Sequence, residues 1–384
     1  MLNKKSKMNI GILCYPTFGG SGVVATELGK ALAEQGHHIH FITYSQPVRL
    51  EHFSENVWYH EVSVADYPLF EYAPYETALT SKLVDVALYA KLDVVHVHYA
   101  IPHASVAFMA QQILAAQGYH IPFVTTLHGT DITLVGKNAS YNPVVTFAIN
   151  ASNAVTAVSA SLANDTRLYF NVKRNIEIIP NFIDLRRFSK QRKDHFRKAV
   201  APNNEKIVIH ASNFRPVKRI GDVLQVFEKI IAAVPAKLLL IGDGPERTNI
   251  EKLCRESRAC EHTRFLGKQE AVEEILSIGD LFLLPSETES FGLAALEAMA
   301  CQVPVISSNT GGIPEVNVDG VTGYMSAVGD VTRMAENAIS LLSNEQKLMH
   351  FKQQALQKAL QFDLKVIMPR YEALYYQVID QHRA

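Results

Sequence analysis

The sequence is short of features that would tie it to a large charged or apolar partner. With 37 basic and 38 acidic side chains its formal charge is -1. That balance excludes a bulk basic surface for nucleic acid or anionic lipid, so any bound anion must meet a local site. Cys14, Cys254, Cys260 and Cys301 form no C-x-x-C pair. The usual thiolate zinc and dithiol frameworks are therefore missing, and the thiols read as core or surface residues suited to a reducing cytoplasm. No apolar run approaches a membrane span, and the one that follows the basic start stops at Pro16, too early for a signal peptide. No D-x-D triplet occurs, so the usual carboxylate arrangement for a diphosphate-bound Mg²⁺ or Mn²⁺ is lacking and no metal is expected. His96, His98 and His103 lie close in sequence without a Cys or acid at zinc spacing, which favours a structural or substrate role.

What is present is a repeating pattern. The chain has 384 residues, 48% of them hydrophobic, enough for two domains with a core each. Strand-like runs such as MNIGILCY, HIHFITY and IPFVTTLHG alternate with segments of helical periodicity, as in VVATELGKALAEQG. Such alternation implies right-handed βαβ units around a parallel sheet. Near residues 186–205 the composition turns charged and poor in strand formers, then the alternation resumes with EKIVIHAS and AKLLLIGDG. The expected organisation is a doubly wound α/β domain over 1–185, a connection over 186–205, a second such domain over 206–362, and a helix over 363–384 packing back on the first.

In open α/β sheets ligands bind beyond the carboxyl ends of the strands. The first strand is followed by P-T-F-G-G-S-G, whose Gly19 and Gly20 would let backbone N–H groups approach a phosphate. It is neither a G-x-G-x-x-G fingerprint nor a P-loop, and a plain tight turn reads equally well. The first strand of the second domain leads into S-N-F-R-P-V-K-R, where Arg215 and Lys218 flank a stiffening proline. A guanidinium and an ammonium there suit a diphosphate, against the alternative of a solvated basic turn.

The stretch ESFGLAALEAMACQVPVI sets Glu289 just ahead of a helix and Glu297 on it. Phe291, Leu293, Leu296 and Met299 make the segment too apolar for both acids to be idle surface, and Gly292 removes a Cβ where a ligand would approach backbone.

E-S-F-G-L-A-A-L-E, together with G-G-S-G, F-R-P-V-K-R, G-D-G-P-E and G-G-I-P-E in that order, resembles the retaining nucleotide-sugar glycosyltransferases of family 4, which have the two-domain GT-B fold. The resemblance covers nearly the whole chain. It implies that Glu297 accepts hydrogen bonds from the nucleotide ribose and that Glu289 contacts the donor sugar. N–H groups around Ser290, Phe291, Gly292 and Leu293 would face sugar and diphosphate, and Gly267 and Gln269 would sit near the base. It further implies charge compensation by Arg215 and Lys218, a donor cleft reached by Gly19 and Gly20, and His128 near the reacting sugar. No cofactor is implied, and no protein nucleophile, because the departing phosphate helps deprotonate the acceptor.

Across the first domain, G-I-L-C-Y-P-T-F-G-G-S-G, Y-P-L-F-E-Y-A-P-Y, H-Y-A-I-P-H-A and T-T-L-H-G-T-D-I-T narrow the resemblance to a branch of that family acting at the first step of bacillithiol biosynthesis. The implied donor is UDP-N-acetylglucosamine and the implied acceptor L-malate, for which Ser21, Tyr99 and Thr130 could supply hydrogen bonds and Arg49 a cation. A hexosyltransferase acting on a lipid or polysaccharide, a UDP-N-acetylglucosamine 2-epimerase and a non-catalytic nucleotide-sugar sensor remain as alternatives. Oligomeric state is not legible, and a cytoplasmic location is expected.

Overall fold

A computed structural model describes residues 7–17, 19–50, 55–64, 72–134 and 138–383. Phe18 of the glycine-rich loop and most of the motif at 67–75 lie outside them. The chain divides into two compact units, one made of residues 1–181 and 364–384, the other of residues 182–363.

The first unit is built on seven strands: β1 (Asn9–Leu13), β2 (His38–Thr43), β3 (Val57–Glu61), β4 (Val94–His98), β5 (Phe123–Leu127), β6 (Ala154–Ala157) and β7 (Ile176–Ile178). They pair in parallel in the order β3-β2-β1-β4-β5-β6-β7. Strands β1, β4 and β5 are almost wholly buried because helices cover both faces, which is why they read as continuous apolar runs. β3 is the exception: VWYHE is half exposed at the sheet edge and carries no apolar run by which sequence could mark it. The C-terminal helix Leu364–Arg383 belongs to this unit, with Glu372 bonded to His37 (3.0 Å) and Tyr375 Oη to His96 Nδ1 (2.7 Å).

The second unit has six strands: β8 (Lys206–Ala211), β9 (Ala236–Ile241), β10 (Thr263–Gly267), β11 (Leu281–Leu284), β12 (Val305–Ser308) and β13 (Gly323–Ser326). Their order is β10-β9-β8-β11-β12-β13, again parallel. Both sheets share one topological feature. The chain starts near the middle, winds outward, then returns to the other side of its first strand, so β1 lies between β2 and β4 and β8 lies between β9 and β11. The gaps β1/β4 and β8/β11 are the switch points where open α/β sheets leave a crevice for ligand.

The charged stretch at 186–205 lies in the second unit and carries the helix Asp194–Val200. It is tied down by polar contacts: Arg187 Nη2 donates to Glu270 O (2.7 Å), Lys193 pairs with Glu274 (2.9 Å), and Arg197 Nη2 bonds Asp280 Oδ2 (2.7 Å). Asp280 is the anchor. Its carboxylate also accepts from Lys352 Nζ (2.8 Å) and from the Ile207 N–H (2.9 Å). Burial would raise its pKa, but Lys352 and Arg197 outweigh burial and hold the carboxyl below its ordinary value. Removing it leaves two cations facing one another in a mostly enclosed site. Asp280→Ala is therefore expected to destabilise the second unit by about 3–5 kcal/mol, read as a lowered urea midpoint, while Arg192→Ala in the exposed pair with Asp194 leaves the midpoint unchanged.

Candidate active site

In the first unit the crevice beyond β1 and β4 is lined by aromatic and hydroxyl groups. Leaving β1, the chain passes Tyr15 and enters the helix Gly20–Glu34 at Ser21. Gly22 is the glycine this turn demands, since a Cβ there would stand 2.4 Å from Tyr15 O and 2.5 Å from Thr17 O. Gly19 and Gly20, at the start of the helix, remain partly or fully open to solvent. Leaving β4, Tyr99 adopts φ 86°, a strained conformation for a residue with a side chain. It is held there by its N–H donating to Thr126 O (2.9 Å) and by the next N–H, of Ala100, donating to Asp131 Oδ2 (2.8 Å). The Tyr99 hydroxyl then donates to Ser21 Oγ at 2.7 Å, closing a bond across the switch point.

Behind this pair lies a histidine cluster. His98 Nδ1 is 2.8 Å from His128 Nε2, the two rings stacked at 5.0 Å, and Tyr99 packs on His128 at 5.3 Å. His103 Nδ1 bonds His98 O (2.6 Å), and His96 bridges Thr126 Oγ1 (2.7 Å) and Tyr375. Burial pushes His96 and His128 down to about 3 and His103 to about 4, and lowers His98 well below its ordinary value. All four rings are neutral at pH 7. Burial raises the Tyr99 phenol to about 12, hydrogen bonding to Ser21 and Thr130 opposing it, so it too is neutral. Asp131 is the nearby acid: burial raises it to about 6 against the lowering by backbone N–H groups, including those of Ala100 and Gly129. Thr130, exposed, precedes it.

In the second unit the loops after β8 and β11 meet in the same way. Lys218 Nζ bonds Glu289 Oε1 at 2.5 Å, and Ser286 Oγ donates to the same oxygen at 2.9 Å. The pair bridges the β8/β11 gap. His210, at the end of β8, sits between Leu283 O (2.9 Å) and Ser212 Oγ (2.8 Å) and fixes the start of the basic loop. Glu246 of G-D-G-P-E supports that loop by donating its N–H to Phe214 O (2.9 Å). Arg215 is exposed. Gly292, at φ 93°, caps the helix Leu293–Ala300, on which Glu297 lies partly buried, while the Phe291 ring turns into the core against Phe362. The neighbouring G-G-I-P-E segment packs beneath Glu289: Gly312 N–H donates to Glu289 O (2.9 Å), and a Cβ on Gly311 would stand 2.0 Å from that oxygen. Gly267 takes φ 67° at the end of β10, with Gln269 turned back so that its Nε2 donates to Leu266 O (2.5 Å).

Of the residues singled out by sequence, Lys218 and Glu289 are thus in direct contact, as are Ser21 and Tyr99, with His128 and Thr130 beside the latter pair. Arg215 lies exposed on the loop that carries Lys218, and Glu297 lies partly buried on the helix Leu293–Ala300. Sequence reasoning missed Ser286, Ser212 and Asp131, and gave His98 a structural or substrate role without its partner His128. Asp131 sat inside a quoted motif, but only folding shows what it and His98 touch.

Comparison with known proteins gives this geometry a context. The model of Glycosyltransferase Family 4 matches residues 18–187, and that of glycosyl transferases group 1 matches residues 191–358. A protein of Bacillus anthracis, N-acetyl-alpha-D-glucosaminyl L-malate synthase, is 49% identical over 375 residues, covering 97% of this chain and 98% of its own length. The chain belongs to the family 4 glycosyltransferases. Among solved structures, Anabaena Alr3699/HepE in complex with UDP and glucose superposes with a TM-score of 0.80 at 19% identity, covering 96% of this chain and 99% of its own. Sucrose-phosphate synthase from Thermosynechococcus elongatus does so at 0.79 and 21%, covering 98% and 100%. At those identities the likeness establishes the GT-B fold. No helix among the described residues is long and apolar enough to cross a membrane.

The buried histidines make stability pH-dependent in a definite direction. Unfolded, each takes a proton near 6.5, whereas His96, His103 and His128 resist it down to about 3–4 and His98 well below its ordinary value. Their contribution is present above pH 6.5 and is lost as pH falls toward the folded values, by up to about 1.4 kcal/mol per pH unit for each ring. Asp131 runs the other way, its contribution full below about 4 and lost as pH rises through about 6. Four rings against one acid leave a net loss on acidification. The urea midpoint of the first unit is expected to fall steeply between pH 6.5 and 5; a flat profile would mean that the rings are already charged in the native state.

Proposed function

We propose that this enzyme transfers N-acetylglucosamine from UDP-N-acetylglucosamine to the hydroxyl of L-malate with retention of the α configuration, the first step of bacillithiol biosynthesis. The observation that carries the proposal is the 49% identity, over 97% of the chain, to a protein named for that product. In this reading Lys218 and Arg215 neutralise the diphosphate. Lys218 has three N–H donors; the one directed to Glu289 fixes the ammonium and leaves two for phosphate oxygens. Glu289, also bonded by Ser286, holds a donor-sugar hydroxyl. Ribose hydroxyls bond Glu297, the N–H groups from Ser290 to Leu293 bring the positive end of their helix to the sugar and diphosphate, and Gly267 and Gln269 flank the base. Gly19 and Gly20, partly or fully exposed, offer further backbone N–H groups for the donor phosphates.

Malate is held by the neutral hydroxyls of Ser21 and Thr130, with Tyr99 beside it donating its own proton to Ser21 Oγ and so turning the Ser21 O–H outward, and with His128 bonded to a hydroxyl of the donor sugar. The bond from C1 to UDP breaks as the malate hydroxyl oxygen bonds C1 from the same face, and the hydroxyl proton passes to the departing phosphate oxygen. The protein's part is positioning and charge stabilisation. Neither a metal nor a protein nucleophile takes part, and the enzyme works in the cytoplasm, where its four thiols stay reduced.

Two experiments test the division of roles. Lys218→Ala and Glu297→Ala each remove a charge-assisted hydrogen bond worth about 1.5–3 kcal/mol, so calorimetry should show UDP binding weakened roughly 10- to 100-fold; undiminished affinity in folded variants removes these residues from the donor site. For the acceptor, lactate lacks one carboxylate and leaves a donor such as the buried Ser21 hydroxyl without its partner, a larger penalty than a lost methylene. L-Malate should give an α-glycoside by NMR and lactate little product. Equal turnover of the two, or a β-glycoside, would sink the acceptor or the stereochemical assignment respectively.

A further inference from the structure

The histidine cluster contains more order than the transfer reaction has used. His103 Nδ1 lies 2.6 Å from His98 O, and a carbonyl only accepts, so this nitrogen carries the proton and His103 Nε2 is bare. His98 and His128 share one hydrogen bond, His98 Nδ1 to His128 Nε2 at 2.8 Å. With both rings neutral, one nitrogen of that pair is a donor and the other an acceptor, and the choice fixes both tautomers.

The far side of His98 decides it. His98 Nε2 is sealed in the interior with no partner. Were His128 Nε2 the donor, His98 would carry its own proton on Nε2, leaving a buried N–H with nothing to accept it, the rarer and costlier kind of orphan. With His98 Nδ1 as donor, Nε2 is a bare lone pair and no N–H is stranded. His128 then accepts on Nε2 and must carry its proton on Nδ1. That second nitrogen is not among the sealed, unpartnered atoms, in contrast to His98 Nε2 and His103 Nε2.

We infer that His98 is a positioning residue that locks His128 in the Nδ1–H tautomer, so that His128 presents a hydrogen-bond donor and not a base to the donor sugar. The inference rests on the proposed sugar contact of His128 only for its catalytic consequence; the tautomer itself follows from the hydrogen bonding. A ring so locked can hold a sugar oxygen through an N–H donor and cannot take the acceptor's proton at Nδ1, which leaves that proton to the departing phosphate. His98 does this without touching substrate. Its ring is held in turn by tilted packing against His96 at 4.4 Å and by stacking on His128.

The test is a long-range ¹H–¹⁵N spectrum of the full chain labelled in histidine, with His128 assigned by its loss in His128→Gln. The expected wild-type pattern has His128 Nδ1 protonated and Nε2 bare, with His98 the same. An Nε2–H signal for His128 overturns the inference without recourse to activity or to any variant of His98. In His98→Phe the donor is gone, and the His128 ring should shift toward the Nε2–H form; kcat for malate should fall about tenfold while UDP affinity, which involves no sugar, is unchanged. His98→Asn places an amide N–H near the position of Nδ1 and should restore both the tautomer and most of kcat. If His128 keeps its tautomer in His98→Phe, His98 does not set it and the inference falls. If the tautomer shifts in His98→Phe and is restored in His98→Asn but turnover follows neither change, the sugar contact of His128 is lost from the proposed function, while the structural assignment of His98 stands.

Discussion

Each unit depends on one constraint: a parallel sheet that winds outward from a middle strand and then reverses must leave two strand ends side by side with their following loops departing in opposite directions. Something has to hold those loops at a fixed separation. In the first unit it is the hydrogen bond from Tyr99 to Ser21, and in the second the ion pair of Lys218 with Glu289. The two bonds occupy the same topological place in sheets of different strand number. One joins neutral groups and the other full charges, which matches what each would meet: hydroxyls and a small acceptor in the first case, a diphosphate in the second.

The packing beneath these bonds accounts for Gly22, Gly311 and Gly312 of the glycine-rich motifs. Gly22 lies against Tyr15 and Thr17 backbone, and Gly311 and Gly312 against the backbone of Glu289 and Ser290. A Cβ at any of them displaces the loop that carries the site residue, although none need touch ligand. His210 and Glu246 play the matching part for the loop of Lys218 through Ser212 and Phe214. Motif residues of this kind are a scaffold that fixes the backbone positions of the site loops.

Much of this was legible in sequence because buried parallel strands are continuous apolar runs and the helices between them keep a 3.6-residue period. The strand β3 was not, since its five residues are half exposed and mixed in character, and the charged stretch before β8 gave no sign of its helix or of its anchorage on Asp280. For the site, residue types and motif order pointed to Lys218, Glu289, Ser21 and Tyr99, but not to their pairing, which joins positions 71 and 78 residues apart. Asp131 escaped notice for a related reason. An acid after a strand end reads as solvent-facing until folding turns backbone N–H groups onto it.

Asp131 also bears on how a neutral pocket can receive an anion. A carboxylate beside the proposed malate site would repel its ligand if its charge were free, yet both its oxygens accept backbone N–H groups, from Ala100 and from Gly129. Those bonds spread the charge into the loops and make Asp131 a brace that fixes Tyr99 at positive φ on one side and Thr130 on the other. The neutral histidines complete the logic. A charged imidazolium would attract malate, but it would bind substrate and product alike and would need counter-charge in the interior whenever the site is empty. Oriented hydroxyls and a single ring N–H cost no such compensation. On the proposed reading the hydroxyls would recognise an acceptor by where its oxygens lie and the ring N–H would hold the donor sugar, the first held by Asp131 and the second by His98. Lys218 and Arg215 of the second unit would supply the charge that a departing diphosphate requires.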